Sequence, residues 1–301
     1  MKAREQQWPA LDWPQWQNCG DTLHMLTQIV GKTRLALTPM QNHWWNVPLY
    51  LTARGLSTSV MPLPLGERLE IEFDFRAHRV TFQHSDGRTD MLPLESQTVA
   101  EFYSAYRRIL QGLQVEVLIN PAPVEVTNGI RFEQDSVHRN YDADAAQRLW
   151  QVLSQADRLL KRFSTRFYGK ISPVHFFWGS FDLAVTRFNG RRAPPRAGAD
   201  AIQAEAYSHE CISAGFWPGN GGYGRAAFYT YAAPVPAGLS EAIVTGGGSF
   251  NKALGEFILD YDAVRAAADP DAMLLEFLQN AYSACANACG WDRDNLERSN
   301  S

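Results

Sequence analysis

The stretch FFWGSFDLAVTRFNG, residues 176–190, decides the fold, because an earlier part of the chain repeats its pattern. The earlier stretch is HWWNVPLYLTARG, residues 43–55. An ungapped overlay of the two stretches pairs Trp44 with Trp178, Leu49 with Leu183, and Thr52 with Thr186. Self-similarity at a long period is typical of a duplicated structural unit. We therefore predict that the chain has two similar halves.

The repeat extends to the segments that precede these stretches. Residues 21–30 and 142–168 have the apolar spacing of amphipathic helices. They run into Gly-Lys pairs at 31–32 and 169–170. Glycine commonly follows the last helical turn, and a cation is favoured at the negative end of the helix dipole. We therefore expect both helices to end at these pairs.

Antiparallel strands are predicted next in the first half. Residues 67–75 and 78–94 alternate at a period of two, and the Asp-Gly pair at 86–87 is typical of a hairpin turn. One face of the first of these strands carries Glu70, Glu72 and Asp74. These carboxylates are either a row of metal ligands or the solvated face of a half-buried strand, and we favour the second interpretation.

Each half closes with a helix. Thr98 and Glu101 form a capping-box pattern, and Asp269 followed by Pro270 is typical of a helix start. The predicted fold class is therefore α+β, with a helix, antiparallel strands and a closing helix in each half.

The domain prediction follows from this order. The first half covers residues 1–113 and the second covers residues 142–301, with a linker at 114–141 that contains one edge strand. A duplicated unit of this kind places its halves around a pseudo-twofold axis. A pocket often forms where two such halves meet.

The composition argues against several classes of function. A formal net charge of -4 and a pI near 6.0 do not favour a nucleic-acid binder. No run approaches the roughly 18–20 apolar residues of a membrane span, and the N-terminus lacks the apolar core of a signal peptide. We therefore expect a cytoplasmic protein with no membrane and no nucleic-acid partner, and with a small molecule as the possible ligand.

Glycine is concentrated in residues 216–224, FWPGNGGYG. A phosphate-binding loop would need a following helix, whereas the next residues, AAFYTYA, are typical of a strand. We therefore expect a lid or a hairpin loop here.

Three of the seven histidines lie among aromatic or small residues: His43, His175 and His209. Together with Glu210 they suit general acid–base catalysis. Alternatively, His175, His209 and Glu210 suit a metal site of the His/carboxylate type. A third interpretation is that each imidazole is buried and bonded to backbone. The other four, His24, His78, His84 and His138, are expected at the surface or at helix caps.

Asp182 lies between apolar residues in a predicted strand. A buried carboxylate is costly unless it is paired, so Asp182 is either an ion-pair anchor, with Arg187 as the nearby cation, or a tuned acid–base group. Arg54 and Arg187 end the two corresponding strands. Each is interpreted either as an anion-binding group or as the partner of a neighbouring acid.

Aromatic residues make up 12% of the chain, which is enough to line a pocket as well as a core. Trp44, Trp178 and Trp217 are the predicted walls. Our leading hypothesis is a small-molecule enzyme or ligand-binding protein, with catalytic candidates His175, His209, Glu210 and Asp182 and ligand-binding candidates His43, Trp44, Arg54, Trp178, Arg187 and Trp217. The alternative is a non-catalytic interaction or structural protein with buried histidines.

Three segments together are distinctive: residues 42–59 (NHWWNVPLYLTARGLSTS), residues 172–195 (SPVHFFWGSFDLAVTRFNGRRAPP), and EAYSHE at 205–210 followed by GFWPG. They resemble a bacterial family catalogued as domain of unknown function 5996, from about Trp8 to Trp291. The resemblance implies a shared fold and brings no assigned reaction, cofactor or catalytic residue. The matching positions are His43, Trp44, Trp45, Arg54, His175, Trp178, Asp182, Arg187, His209, Glu210 and Trp217.

Overall fold

A computed structural model describes residues 7–196 and 198–298 of the chain. It has an α+β fold with two antiparallel sheets of six strands each. In the described ranges, no helix combines the length and the hydropathy of a bilayer-crossing segment.

Seven helices are present in the described residues: α1 (Trp13–Leu37), α2 (Val99–Gly112), α3 (Ala143–Ser164), α4 (Ala201–Ala206), α5 (Tyr261–Ala266), α6 (Pro270–Ala288) and α7 (Arg293–Leu296). Short 3-10 turns lie at Asn42–Trp44, Pro64–Gly66, Phe132–Gln134 and Leu239–Glu241.

The first sheet has the order β1-β2-β4-β5-β6, with β3 beside β4. Its strands are β1 (Tyr50–Leu51), β2 (Gly55–Ser57), β3 (Met61–Pro62), β4 (Arg68–Asp74), β5 (Arg79–His84) and β6 (Thr89–Pro93). The β5–β6 hairpin turns at the predicted Asp-Gly pair, which confirms the period-two interpretation of residues 78–94.

The second sheet has the order β11-β12-β10-β9-β8-β7. Its strands are β7 (His175–Phe177), β8 (Asp182–Arg192), β9 (His209–Trp217), β10 (Ala227–Ala233), β11 (Ser249–Asn251) and β12 (Glu256–Asp260). The glycine-rich residues predicted as a hairpin loop join β9 to β10, which pair antiparallel.

The two sheets meet edge to edge. Leu49, just before β1, exchanges two backbone hydrogen bonds of 2.9 Å with Phe176 of β7. The first half contains a helix, six strands and a closing helix, whereas the described part of the second half contains six strands and the five helices α3–α7. The duplication itself stays a prediction.

Helix caps follow the sequence signals. The Thr98 hydroxyl accepts a hydrogen bond from the Glu101 backbone amide, and the Glu101 carboxylate accepts one from the Thr98 backbone amide. The two bonds together complete the predicted capping box. Asp142 and Asp269 cap α3 and α6 in the same way, each accepting a backbone amide three residues on.

The expected helix ends at the Gly-Lys pairs are wrong. Helix α1 continues through Gly31 and Lys32 to Leu37, because Gly31 allows the indole of Trp178 to pack closely against the helix rather than acting as a cap. Helix α3 ends at Ser164, five residues before the second pair. The Arg187 guanidinium donates to the Phe163 carbonyl in its last turn at 2.5 Å, so a cation from β8 satisfies this helix end.

The linker at 114–141 contains no strand, so the predicted edge strand is wrong. Its backbone is held by side chains of α1 instead of by a sheet. The Gln28 amide donates to the Val124 carbonyl at 2.9 Å and accepts the Val124 amide at 2.8 Å. A glutamine amide thus provides the pairing that a neighbouring strand would otherwise give.

One continuous apolar core runs through both halves. Helices α3 and α6 pack on one face of the second sheet and bury the alternate residues of its central strands. A separate small cluster of Ala184, Ala227, Tyr229 and Ile258 lies on the sheet's other face. That second face is only partly covered, and it carries the cavities described below.

Candidate functional site

Two cavities of about 770 and 730 Å³ lie on the partly covered face of the second sheet. They share seven lining residues, so they are two lobes of one depression, which we call the tyrosine groove. The shared residues are Glu125, Ser180, Asp182, Arg196, Tyr207, Tyr229 and Tyr231.

Asp182 lies where the two lobes meet, at the start of β8. Its carboxylate accepts hydrogen bonds from the Ser180 hydroxyl at 2.5 Å and from the Tyr229 hydroxyl of β10. The side chain is buried, and burial raises the pKa of Asp182 despite these two donors. Phe181, between Ser180 and Asp182, has a φ of 60°. A non-glycine residue in this left-handed conformation is held there by its surroundings.

Tyrosines line the groove beside this carboxylate. Tyr229 and Tyr231 project from the same face of β10, and their rings stack at 6.0 Å. The hydroxyls of Tyr231 and Tyr207 lie 3.0 Å apart. Burial raises the pKa of all three phenols, so each remains a neutral hydroxyl that can donate a hydrogen bond.

Three further carboxyl groups line the groove: Glu256, Glu125 and Asp200, whose carboxylate accepts a hydrogen bond from the Gln203 amide at the start of α4. Glu256, at the start of β12, has its pKa raised to about 7 by partial burial and by the nearby charge of Asp182. Glu125 comes from the linker, and desolvation by the surrounding protein raises its pKa although the side chain keeps access to solvent. The Glu125 carboxylate lies directly over Gly179, where an added Cβ would come within 2.6 Å of it.

The first half contributes the wall of the second lobe. His43 and Trp44, in the 3-10 turn before β1, have φ values of 58° and 60°. The His43 ring stacks on Phe188 of β8 at 4.3 Å, donates from Nδ1 to the Ala206 carbonyl and accepts at Nε2 from Lys170. Burial, followed by the charge of Lys170, lowers the pKa of His43. His43 is therefore a neutral wall residue.

The predicted tryptophan walls lie at the groove. Trp44 lines the second lobe and donates from its indole to the Ile202 carbonyl of α4. Trp178 lines the same lobe and is fixed by a bond to the Val47 carbonyl. Trp217 lines the first lobe, where its ring stacks on Tyr223 at 4.9 Å.

His209 lies beside the groove rather than on its lining. Its ring approaches that of His43 at 5.7 Å, and its Nδ1 lies 3.1 Å from the Ser208 hydroxyl. It is half-buried at the start of β9. Asp182 and His209 share no direct hydrogen bond in the described residues.

His175 is buried among aromatic rings and does not line either lobe. Trp45, Tyr50 and Phe177 surround it at centroid distances of 6.0, 5.5 and 5.4 Å. Its Nδ1 has no hydrogen-bond partner among the described residues. Burial, reinforced by the charge of Arg34, lowers the pKa of His175 to about 4. Its Nε2 lies 3.5 Å from the Tyr50 hydroxyl. His175 is therefore a buried, neutral imidazole, as the third interpretation expected, but its side chain contacts a hydroxyl and not the backbone.

Glu210 faces away from the groove, because successive residues of a strand point to opposite sides. Its carboxylate pairs with Arg191 at 2.7 Å and accepts from the Asn189 amide at 2.6 Å. The predicted metal set of His175, His209 and Glu210 is therefore not brought together. In the described ranges, the one group of three such side chains with ligand atoms within 4.8 Å is Glu67, His84 and Asp86, in the first sheet.

The two arginines that were predicted to bind an anion make other contacts, outside the groove. Arg54 pairs with the buried Asp74 of β4 at 2.5 Å, which agrees with the alternative of a neighbouring acid. Arg187 points to the helix-covered face, fully buried, with its guanidinium over the rings of Phe163 and Tyr282 at 3.6 and 4.1 Å. It therefore cannot pair with Asp182, which lies on the opposite face of β8.

Two of the histidines expected at the surface are buried. His24, inside α1, donates from Nε2 to the Gly179 carbonyl at 2.8 Å and stacks on Phe181. His84 lies at the end of β5 with its Nδ1 2.9 Å from Asp86. Both positions follow from sheet and helix packing that the local sequence does not specify.

The groove also contains residues that sequence reasoning missed. They are Glu125, Arg196, Tyr207, Tyr229, Tyr231 and Glu256. The one available signal was the alternation of tyrosines in AAFYTYA, which places Tyr229 and Tyr231 on one face of a strand.

Comparison with known proteins identifies the family of this chain. The model of a family of unknown function, DUF5996, matches residues 8–298. No curated protein and no solved structure matches the chain.

Proposed function

This chain belongs to the family of unknown function DUF5996, and we propose that it binds a small organic molecule in the tyrosine groove. The observation that carries the proposal is the position of Asp182. A buried carboxylate with two fixed hydroxyl donors lies at the junction of two lobes, and polar groups converging on an aromatic depression are characteristic of ligand sites.

The volume and the lining of the groove both suit a small organic ligand. The lobes, at about 770 and 730 Å³, fall within the volumes typical of small-molecule sites. Aromatic rings from both halves provide flat contact surfaces, and neutral phenols provide hydrogen-bond donors. Asp182, with its raised pKa, is the candidate acid–base group if the bound molecule is also converted.

The other candidates have supporting roles in this proposal. His43, Trp44 and Trp178 form walls of the second lobe, and Trp217 forms a wall of the first. His175, Glu210, Arg54 and Arg187 act in packing and ion pairing outside the groove.

The test is a screen of cationic, neutral and anionic aromatic fragments for binding by saturation-transfer NMR. The proteins compared are the wild type, Trp217→Leu and Asp182→Asn. We expect at least one fragment whose signal on the wild type falls in both variants, because one removes a wall and the other removes a charge.

Tyr168→Ala is the matched control, since this exposed aromatic residue lies outside the groove. It should retain the wild-type response. Thermal unfolding verifies that each variant is folded before it is used. If no fragment separates the folded groove variants from the wild type, the proposal of a ligand site in the groove is wrong.

A further inference from the structure

We propose that the ligand of the tyrosine groove is an organic cation, an amine or ammonium group attached to an apolar frame, with Asp182 and Glu256 as its anionic partners. This inference rests on the proposed function and specifies its ligand class. It follows from the charge distribution and the aromatic lining of the groove taken together.

The charge distribution is one-sided. Asp182, Glu125, Glu256 and Asp200 line the lobes, and none of the four forms an ion pair in the described residues. Asp182 receives only neutral hydroxyl donors. Desolvation raises the pKa of Asp182, Glu125 and Glu256, so the protein itself does not supply the compensating positive charge.

Arg196 is the one permanently charged cation among the described lining residues. It is exposed in the segment between β8 and α4, and its guanidinium lies 5.9 Å from the centre of the Tyr207 ring. It forms no ion pair with any of the four carboxyl groups that line the groove. Arg196 therefore lies at the rim and leaves the charge at the junction of the lobes uncompensated.

The aromatic lining favours the same ligand class. Tyr207, Tyr229 and Tyr231 enclose the region next to Asp182, and Trp217 lies farther along the first lobe. Tyrosine and tryptophan faces attract cations through the ring quadrupole, and the attraction is larger where water is excluded. An anionic ligand would instead meet four carboxyl groups with only one arginine to offset them.

The experiment compares three molecules of nearly the same shape: benzylamine, benzyl alcohol and benzoate. Binding to the wild-type protein is measured by calorimetry and by saturation-transfer NMR at about pH 8, where the amine is charged and isolated carboxyl groups are ionised. We expect benzylamine to bind about tenfold or more tightly than benzyl alcohol, because only the amine forms a charge-assisted bond. Benzoate should bind most weakly.

Two isosteric variants locate the cation. Asp182→Asn and Glu256→Gln should each weaken benzylamine binding about fivefold or more while leaving benzyl alcohol within about twofold. Arg196→Gln should strengthen benzylamine binding, since it removes a like charge from the rim. Asp90→Asn, an exposed site in the first sheet, is the control and should change neither ligand.

The outcomes separate this inference from the proposed function. If benzyl alcohol or benzoate binds as tightly as benzylamine in a groove-dependent way, the ligand is not a cation, and the groove remains a ligand site. If benzylamine binds but Asp182→Asn and Glu256→Gln leave its affinity unchanged, the assignment of its partners is overturned. If none of the three molecules binds and the fragment screen is also negative, both proposals are overturned.

Discussion

The indole of Trp178 rests directly on the Cα of Gly31. A Cβ built at Gly31 would lie 2.2–2.4 Å from three atoms of the indole ring. This contact joins α1 of the first half to the turn between β7 and β8, where Ser180 and Asp182 begin the groove. Trp178 is also tied to the Val47 carbonyl of the first half.

Gly31→Ala should therefore destabilise the protein, although alanine is the better helix former. Overpacking against the indole should lower the free energy of unfolding by about 1–3 kcal/mol, more than the gain in helix propensity. Gly112→Ala is the matched control, because a Cβ at this position in α2 meets nothing within 4 Å. That variant should be stabilised by up to about 1 kcal/mol. Urea unfolding measures both, and a stabilised Gly31→Ala would contradict the prediction.

His175→Leu should reduce the acid sensitivity of the fold. The unfolded chain protonates this imidazole below its ordinary pKa of 6.5, whereas the folded protein does so only near a pKa of about 4. The unfolded state thus binds more protons in that interval, and stability falls as the pH falls. The slope is about 1.4 kcal/mol per pH unit for each such histidine. Unfolding free energies measured from pH 7 to pH 4 should show a smaller slope in the variant.

His24→Leu provides the comparison, since burial also lowers the pKa of His24 to about 4. Both substitutions should reduce the slope. They should differ near neutral pH, where His24→Leu leaves the Gly179 carbonyl without its donor and loses about 1–3 kcal/mol. His175→Leu removes only the long 3.5 Å contact between Nε2 and the Tyr50 hydroxyl, since Nδ1 has no partner among the described residues, and it should lose much less. Equal losses at pH 7 would show that His175 makes an important polar contact.

Arg187 should tolerate methionine far better than alanine. The guanidinium is enclosed by Phe163, Phe167 and Tyr282, and burial lowers the pKa of Arg187 to about 10, so it is still charged at neutral pH. Arg187→Ala should lower the free energy of unfolding by about 3–5 kcal/mol through a large cavity. Arg187→Met fills that space without a buried charge but removes the donor to the Phe163 carbonyl, so it should lose only about 1–3 kcal/mol. Denaturant titration distinguishes the two, and a large loss in both would mean that the charge itself is essential.

Gln28→Leu should release the linker without unfolding the protein. The substitution leaves the amide and carbonyl of Val124 without their partners, at a cost of about 1–3 kcal/mol. Amide exchange at Val124 should accelerate, and limited proteolysis within 114–141 should increase. Gln15→Leu, on the exposed side of the same helix, is the control and should change neither. Because Glu125 follows Val124, any ligand of the groove should also bind more weakly to Gln28→Leu.

The local signals in the sequence were sufficient for much of the fold. The alternation in residues 78–94 and their Asp-Gly turn specified a hairpin, and Thr98 with Glu101 specified a helix start, because each depends on neighbours within a few residues. Gly31 was wrongly predicted to end a helix, because its environment is set by a residue far away in the sequence. Its role depends on Trp178, which is distant in the sequence and reaches α1 only in the folded chain.

The sequence by itself determined the α+β class, the main strands and the place of Asp182 as a carboxylate in an apolar strand. Only the tertiary structure decided which face of β8 became the groove. Strand alternation predicts that Asp182 and Arg187 point to opposite sides of the sheet, but it does not determine which side the helices cover. Pairing of β8, β9 and β10 then brought Tyr229 to Asp182, and the linker added Glu125. Such contacts depend on long-range packing free energy, which no local pattern encodes.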